Sequence, residues 1–369
     1  MRIMREAFLQ TLRGEKPAAI AWTADISYWV DGCVATGTAD PRWQTELGHL
    51  ELCRDLGCMP YYWYGKFWAA EPRYTGVEQI IENRGERRRT TWRTPLGDLI
   101  GETAFMTGSW SEAPVRHPVQ SERDLDILLH LFEHRRMEPA NLADYRSRLA
   151  LWARYDGVPC LGLPRSPLPA FIVEWAGVEH GALLALDYPE KVETILNLME
   201  QQEQPVIDAV GDLAPPVVHF PDNLSSANLT SLFDAHMAAR YERRLAKLHA
   251  AGIRCAVHLD GTVRGLLPKL GRTGFDSVEA LTPKPVGDVG LAEMRAVAGR
   301  EELVLWGGVP GAMFAPPYTW ADMRAHVEQL LACWRDRPFI VGVADQVPPN
   351  GDIEFIRQIG KLVAQSASA

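Results

Sequence analysis

Ionisable residues fall where short apolar runs give way to turns: Asp222, His258, Asp260, Glu279 and Asp345. One imidazole nitrogen with two or three carboxylate oxygens suits a hard or borderline divalent metal. Zinc held that way would act as a Lewis acid on a substrate oxygen. Without a metal, crowded carboxylates repel, their pKa values rise, and they can serve as general acids. Each residue also has a plainer role. Asp222 precedes Asn223, Asp260 precedes Gly261, and Asp345 precedes Val347-Pro348-Pro349-Asn350, so turn hydrogen bonding accounts for each Asp singly. Glu279 can cap the turn at Thr282, and a histidine ending a strand is often structural. Their shared position argues for a common pocket.

The elements that would position them alternate. Apolar, β-branched runs at 217–220, 253–258, 275–279, 303–306 and 339–343 are each followed by a turn and an amphipathic stretch. The stretches cover about 232–250, 263–270, 291–298, 320–334 and 353–364. Sequential β-then-α units make an open doubly wound sheet or a closed barrel. No GxGxxG follows a strand, which disfavours the dinucleotide-binding sheet. The predicted fold is therefore α/β, a (β/α)8 TIM barrel spanning 1–369 as one domain, with active groups at the carboxyl ends of the strands. The first half predicts strands at 18–24 and 158–163, a weaker one at 59–64, and helices at 122–134 and 142–155. An N-terminal helical extension precedes them. A small β-hairpin insertion is predicted over 75–107, from alternation with turn signals at Asn83-Arg84-Gly85 and Thr94-Pro95-Leu96-Gly97.

Composition narrows the function classes. The net charge is -9, and the densest basic run, Arg87-Arg88-Arg89, sits beside Glu82 and Glu86, so nucleic-acid binding is not expected. No apolar run reaches about 18 residues, and the N-terminus lacks a signal-peptide core, so no membrane role is expected. Six cysteines without a CxxC pair suggest free thiols and a cytoplasmic location. Aromatic residues crowd Tyr61-Tyr62-Trp63-Tyr64 and the stretch holding Trp22, Tyr28 and Trp29. They serve either as core or as walls for a flat apolar ligand at a barrel mouth.

The carboxyl-terminal half resembles the uroporphyrinogen decarboxylase superfamily, which also holds methyltransferases that work with corrinoid proteins. The segments carrying the resemblance are Pro221-Asp222-Asn223-Leu224-Ser225-Ser226, His258-Leu259-Asp260-Gly261, Gly274-Phe275-Asp276 with Val278-Glu279-Ala280, Trp306-Gly307-Gly308-Val309-Pro310-Gly311, and Ile340 through Asn350. The decarboxylases carry an Arg-Gln-Ala-Gly-Arg type segment for the porphyrin carboxylates. Here that region reads Ala21-Trp22-Thr23-Ala24-Asp25-Ile26, without arginine. Thiol-methylating members bind zinc through His-x-Cys and a later Cys. His258 matches that His, while Asp260 and Asp345 stand at or near the Cys positions.

Oxygen ligands make a more Lewis-acidic zinc, suited to an ether oxygen. The resemblance thus implies a zinc-dependent methyltransferase that moves a methyl group from a methoxylated, aromatic small molecule to cob(I)alamin on a separate corrinoid protein. It implies metal ligands His258, Glu279 and Asp345, with catalytic roles for His258, Asp260, Glu279 and Asp222. Substrate contacts would come from Trp22, Tyr28, Tyr62, Tyr64 and Asn223. The chain lacks an Asp-x-His-x-x-Gly segment, so cobalamin would arrive on the partner. A homodimer is compatible with the family. The competing expectations are a decarboxylase of the same fold and a non-enzymatic ligand-binding barrel.

Overall fold

A computed structural model describes residues 3–63 and 67–366. Its centre is a curled, all-parallel, seven-stranded sheet. In chain order the strands are β1 (Trp22–Thr23), β2 (Leu161–Gly162), β3 (Val217–Leu224), β4 (Arg254–Leu259), β5 (Ser277–Leu281), β6 (Val304–Pro310) and β7 (Phe339–Ala344). Neighbours run β1, β7, β6, β5, β4, β3, β2. The eighth place, between β1 and β2, is held by residues 59–61 without a regular strand. Met59 N donates to Trp22 O on one side, and on the other Pro60 O and Tyr61 O accept from Val158 N and Cys160 N. The fold is TIM-like, but the predicted barrel is not closed as a ladder of eight strands.

Helices return outside the sheet. Those after β3 to β7 are Ala238–Ala250, Leu267–Thr273, Leu291–Ala298, Trp320–Trp334 and Glu354–Ser366. Parallel strands covered on both faces must be apolar throughout, and β6 and β7 are buried at every residue. The period of two divides each strand between two cores. Phe220, Val257, Val278, Leu305 and Val341 face the helices. Val217, Ala256, Val304, Trp306 and Ile340 fill the interior.

The N-terminal helix Ile3–Leu12 adds Phe8 and Leu12 to that interior cluster. The Phe8 ring meets Trp306 edge-on at 5.0 Å. Trp306 in turn donates from Nε1 to Thr23 Oγ1 at 2.8 Å. Gly342 makes room for this bond, because a Cβ there would lie 2.9 Å from Thr23 Oγ1 and 3.1 Å from the indole.

The insertion is larger than the predicted hairpin. Residues 75–107 hold the first three strands of a four-stranded antiparallel sheet, Glu78–Arg84, Arg87–Thr94, Gly97–Met106 and Ser111–Arg116. Ala70–Tyr74 and Arg135–Pro139 pair beneath it as a two-stranded base. The fourth strand, SEAPVR, is short and contains Pro114, which weakened its pattern. Among the described residues, no helix is long and apolar enough to cross a membrane.

If the N-terminal helix plugs the interior, Phe8→Ala should lower unfolding free energy by about 3–5 kcal/mol. Denaturant titration checks this. An unchanged midpoint would mean that Phe8 is not part of the packed core.

Candidate functional site

The site is built around one buried carboxylate. Glu279, on β5, is 2% exposed. Its Oε2 accepts from His258 Nδ1 at 2.6 Å and from His219 Nε2 at 3.0 Å, and its Oε1 accepts from the Tyr61 hydroxyl at 3.0 Å. Register explains the convergence. His258 on β4 pairs directly with Glu279 on β5, and Ala256 pairs with His219 on β3. His219, Ala256, His258 and Glu279 therefore share the inward face. Tyr61 arrives from the eighth position and packs at a tilt against Trp306, ring centroids 4.8 Å apart and planes at 57°.

Burial opposes charge on both members of the His258–Glu279 pair, but their mutual attraction outweighs it. For His258, burial alone would lower the pKa. The Glu279 charge and hydrogen bond, aided by Asp345 and Asp260, instead raise it to about 9. Glu279, buried yet flanked by His258 and His219, is held well below the usual carboxylate range. The pair is an imidazolium–carboxylate at neutral pH.

Asp345 follows β7 with a left-handed backbone, φ 71°. Its Oδ1 stands 3.8 Å from His258 Nε2. Asp260 is exposed, with its backbone N–H tied to Leu224 O at 2.8 Å. Its charge reaches His258. One ring is thus surrounded by Glu279, Asp345 and Asp260.

The structure separates other predicted residues from this cluster. Asp222 lies on the helix-facing side of β3, two residues beyond Phe220. It is fully buried and accepts from Ser166 N at 2.7 Å and from the Tyr241 hydroxyl at 2.6 Å. It braces the outer wall, so the catalytic role expected of it is corrected. Trp22 faces outward as well. It is buried in the core and donates to Ile356 O at 3.3 Å, so it does not line a mouth. Asn223 has φ 51°, and its Oδ1 accepts from Arg165 Nη2 at 3.0 Å, which commits the side chain to the β2–β3 rim.

Tyr62 does reach the site, its ring 5.8 Å from His219. Tyr28 is half-buried on the helix Ser27–Ala35 that follows β1. Tyr64 lies outside the described residues.

Sequence reading missed three contributors. His219 sits mid-run in Val-Val-His-Phe, where period-two alternation would have marked it as inward. Tyr61 was read only as one of an aromatic crowd. Asp25 is 3% exposed beyond β1, its Oδ1 accepting from Ser27 N at 2.8 Å. Burial, with added repulsion from Asp345 and Glu279, raises its pKa to about 7.

Donor atoms of His219, His258 and Glu279 all lie within 4.8 Å of one another. Two imidazoles and a carboxylate are a suitable set for zinc. The negative surroundings that keep a proton on His258 would also favour a divalent cation, so the residues fit such a metal.

No family model matches the sequence, and neither does any curated protein. Solved structures do. A methyltransferase from Methanosarcina mazei superposes with a TM-score of 0.61 at 12% identity, covering 100% of this chain and 99% of that one. A B12-independent methionine synthase from Shewanella sp. W3-18-1, in complex with selenomethionine, gives 0.50 at 11% identity over 94% of this chain and 97% of that one. At these identities the likeness establishes the fold: an α/β, TIM-like architecture shared with methyl-transfer enzymes.

Two outcomes are expected. Asp222→Ala strands the Tyr241 hydroxyl and the Ser166 amide, so it should cost about 3 kcal/mol in denaturant unfolding while metal content is unchanged. Loss of metal with unaltered stability would return Asp222 to the site. Zinc binding through His258 should expel its proton at neutral pH, about one per ion, and none well above pH 9. Calorimetry in buffers of different ionisation enthalpy reads this number, and buffer-independent heats would contradict the assignment.

Proposed function

We propose that the protein is a zinc-dependent methyltransferase that takes a methyl group from a methoxylated, aromatic small molecule and delivers it to cob(I)alamin on a separate corrinoid protein. The observation that carries this reading is the cluster at the strand ends, where His219, His258 and Glu279 bring donors within 4.8 Å of one another. His219, His258 and Glu279 would hold the metal, with Asp345 as the nearest further oxygen. When bound, zinc would supply a Lewis acid to the ether oxygen and draw off the charge growing there. The methyl–oxygen bond would break with its electron pair staying on oxygen, and cob(I)alamin, as co-substrate, would supply the pair that binds the methyl carbon.

The chain's own residues complete the task. Before a metal binds, Glu279 orients both imidazoles through the bonds from His258 Nδ1 and His219 Nε2. Asp25, its pKa raised to about 7 chiefly by burial, is the acid nearest to neutral titration at this end of the barrel and would be the proton source for the departing oxygen. The Tyr62 ring beside His219 offers a wall for an aromatic donor. The fold shared with a methyltransferase and a methionine synthase supports methyl transfer as the reaction class.

A second reading draws on the 2.6 Å bond between His258 Nδ1 and Glu279. An oriented imidazolium is a general acid without any metal. It would serve a decarboxylase of the same fold.

The two readings part on metal. Purified protein should hold zinc, lose it to a chelator together with methyl transfer to reduced cobalamin, and regain both on adding zinc. His258→Ala should abolish the metal and slow transfer by about 100-fold or more. The assay should use methoxyarenes, with methylamines and methylthiols beside them. Full activity in metal-free protein, or turnover of a porphyrinogen, would overturn the proposal.

A further inference from the structure

A second group of metal-ligating side chains lies away from the strand ends, at the end of the helix Glu122–Glu133. His130 and His134 are four residues apart, so they share one helical face, and Glu133 stands beside them. The donor atoms of His130, Glu133 and His134 all lie within 4.8 Å of one another, and the group is half-buried to exposed. The imidazole rings are 4.3 Å apart between centroids, at 41°.

A second observation bears on ligand geometry. His134 Nδ1 sits 2.9 Å from the carbonyl oxygen of His130. The donating N–H of that bond must be on Nδ1, so Nε2 is the nitrogen that can present a lone pair to an ion. A backbone acceptor on the remote nitrogen is how metal-binding histidines are commonly oriented. The group also sits at a helix carboxyl end, where unpaired carbonyls favour positive charge.

We propose that His130, Glu133 and His134 form a second divalent-metal site, taking a borderline ion such as Zn2+, and that it staples the last turn of the helix that leads into the base of the inserted sheet. The location gives the staple something to hold. His134 ends the helix, and its carbonyl accepts from Thr75 N at 2.9 Å. Arg135–Pro139 follows at once and pairs with Ala70–Tyr74. An ion held by these three side chains would therefore fix the last helical turn, out of which the strand pair carrying the insertion runs. The ligands would be two nitrogens and one oxygen, with remaining positions open to water. No catalytic part is assigned to this ion.

The test is a Zn2+ titration of the full-length, chelator-treated protein, read by calorimetry and by unfolding temperature. His134→Asn keeps a side-chain donor for the His130 carbonyl but removes the imidazole ligand. His130→Ala removes a ligand without touching that bond. The expected result is one equivalent fewer in each variant than in the wild type, together with loss of part of the zinc-dependent rise in unfolding temperature. Metal-free wild type and His134→Asn should unfold at the same temperature. In His258→Ala this equivalent should persist, so the outcome is separate from that of the strand-end cluster. Equal stoichiometry and affinity in wild type, His130→Ala and His134→Asn would overturn the proposal.

Discussion

Everything at the strand ends depends on keeping Glu279 ionised inside the protein. An isolated buried carboxylate costs several kcal/mol, and only well-aligned donors with a compensating charge offset that. Here His219 and His258 share one oxygen and Tyr61 takes the other. The donors come from β3, from β4 and from the irregular eighth position. Those three segments must therefore be in register before Glu279 can be charged. The site is in this sense a check on the assembly of the barrel. The bottom of the interior supplies the rigidity, through Phe8, Trp306 and the Thr23 hydroxyl.

The same arrangement sets the electrostatics of the mouth. His258 faces Glu279 on one nitrogen and Asp345 on the other, with Asp260 in range. A proton on the ring neutralises only one of these charges. The excess also acts on Asp25, whose carboxyl is pushed up to about 7 by burial and then by its neighbours. Two acids of opposite tuning thus share one end of the barrel. Environments that push neighbouring pKa values apart are what divides acid and base roles between two carboxyls of one site.

The alternation of apolar runs and amphipathic stretches made the second half legible, because each unit is local and its period is strong. His258, Glu279 and Asp345 were legible for the same reason: they close those runs. Asp222 was misplaced because a position at a strand end does not say which face it takes, and counting in twos from Phe220 would have turned it outward. The eighth position was faint because residues 59–61 lack a ladder and owe their place to Trp22, Val158 and Cys160, far away in sequence. His219 and Tyr61 stayed hidden because their partner is Glu279, 60 and 218 residues away.

Backbone geometry adds an independent mark of function. Asn223, Ala280 and Asp345 all take left-handed φ values, 51°, 60° and 71°, at the carboxyl ends of β3, β5 and β7. None is glycine, and such conformations cost about 1–3 kcal/mol each unless the surroundings enforce them. At Ala280 the enforcement is visible. The β5–β6 register slips between Val278 and Leu281, which brings Leu281 so close to Gly307 that a Cβ there would lie 2.6 Å from Leu281 N. The bulge falls on the residue after Glu279. A regular strand would have cost less and carried the chain onward. The bend falls immediately past Glu279, and pairing resumes only at Leu281 opposite Gly307. Strain placed beside the buried charge, rather than spread along the sheet, is what a scaffold built around that charge requires.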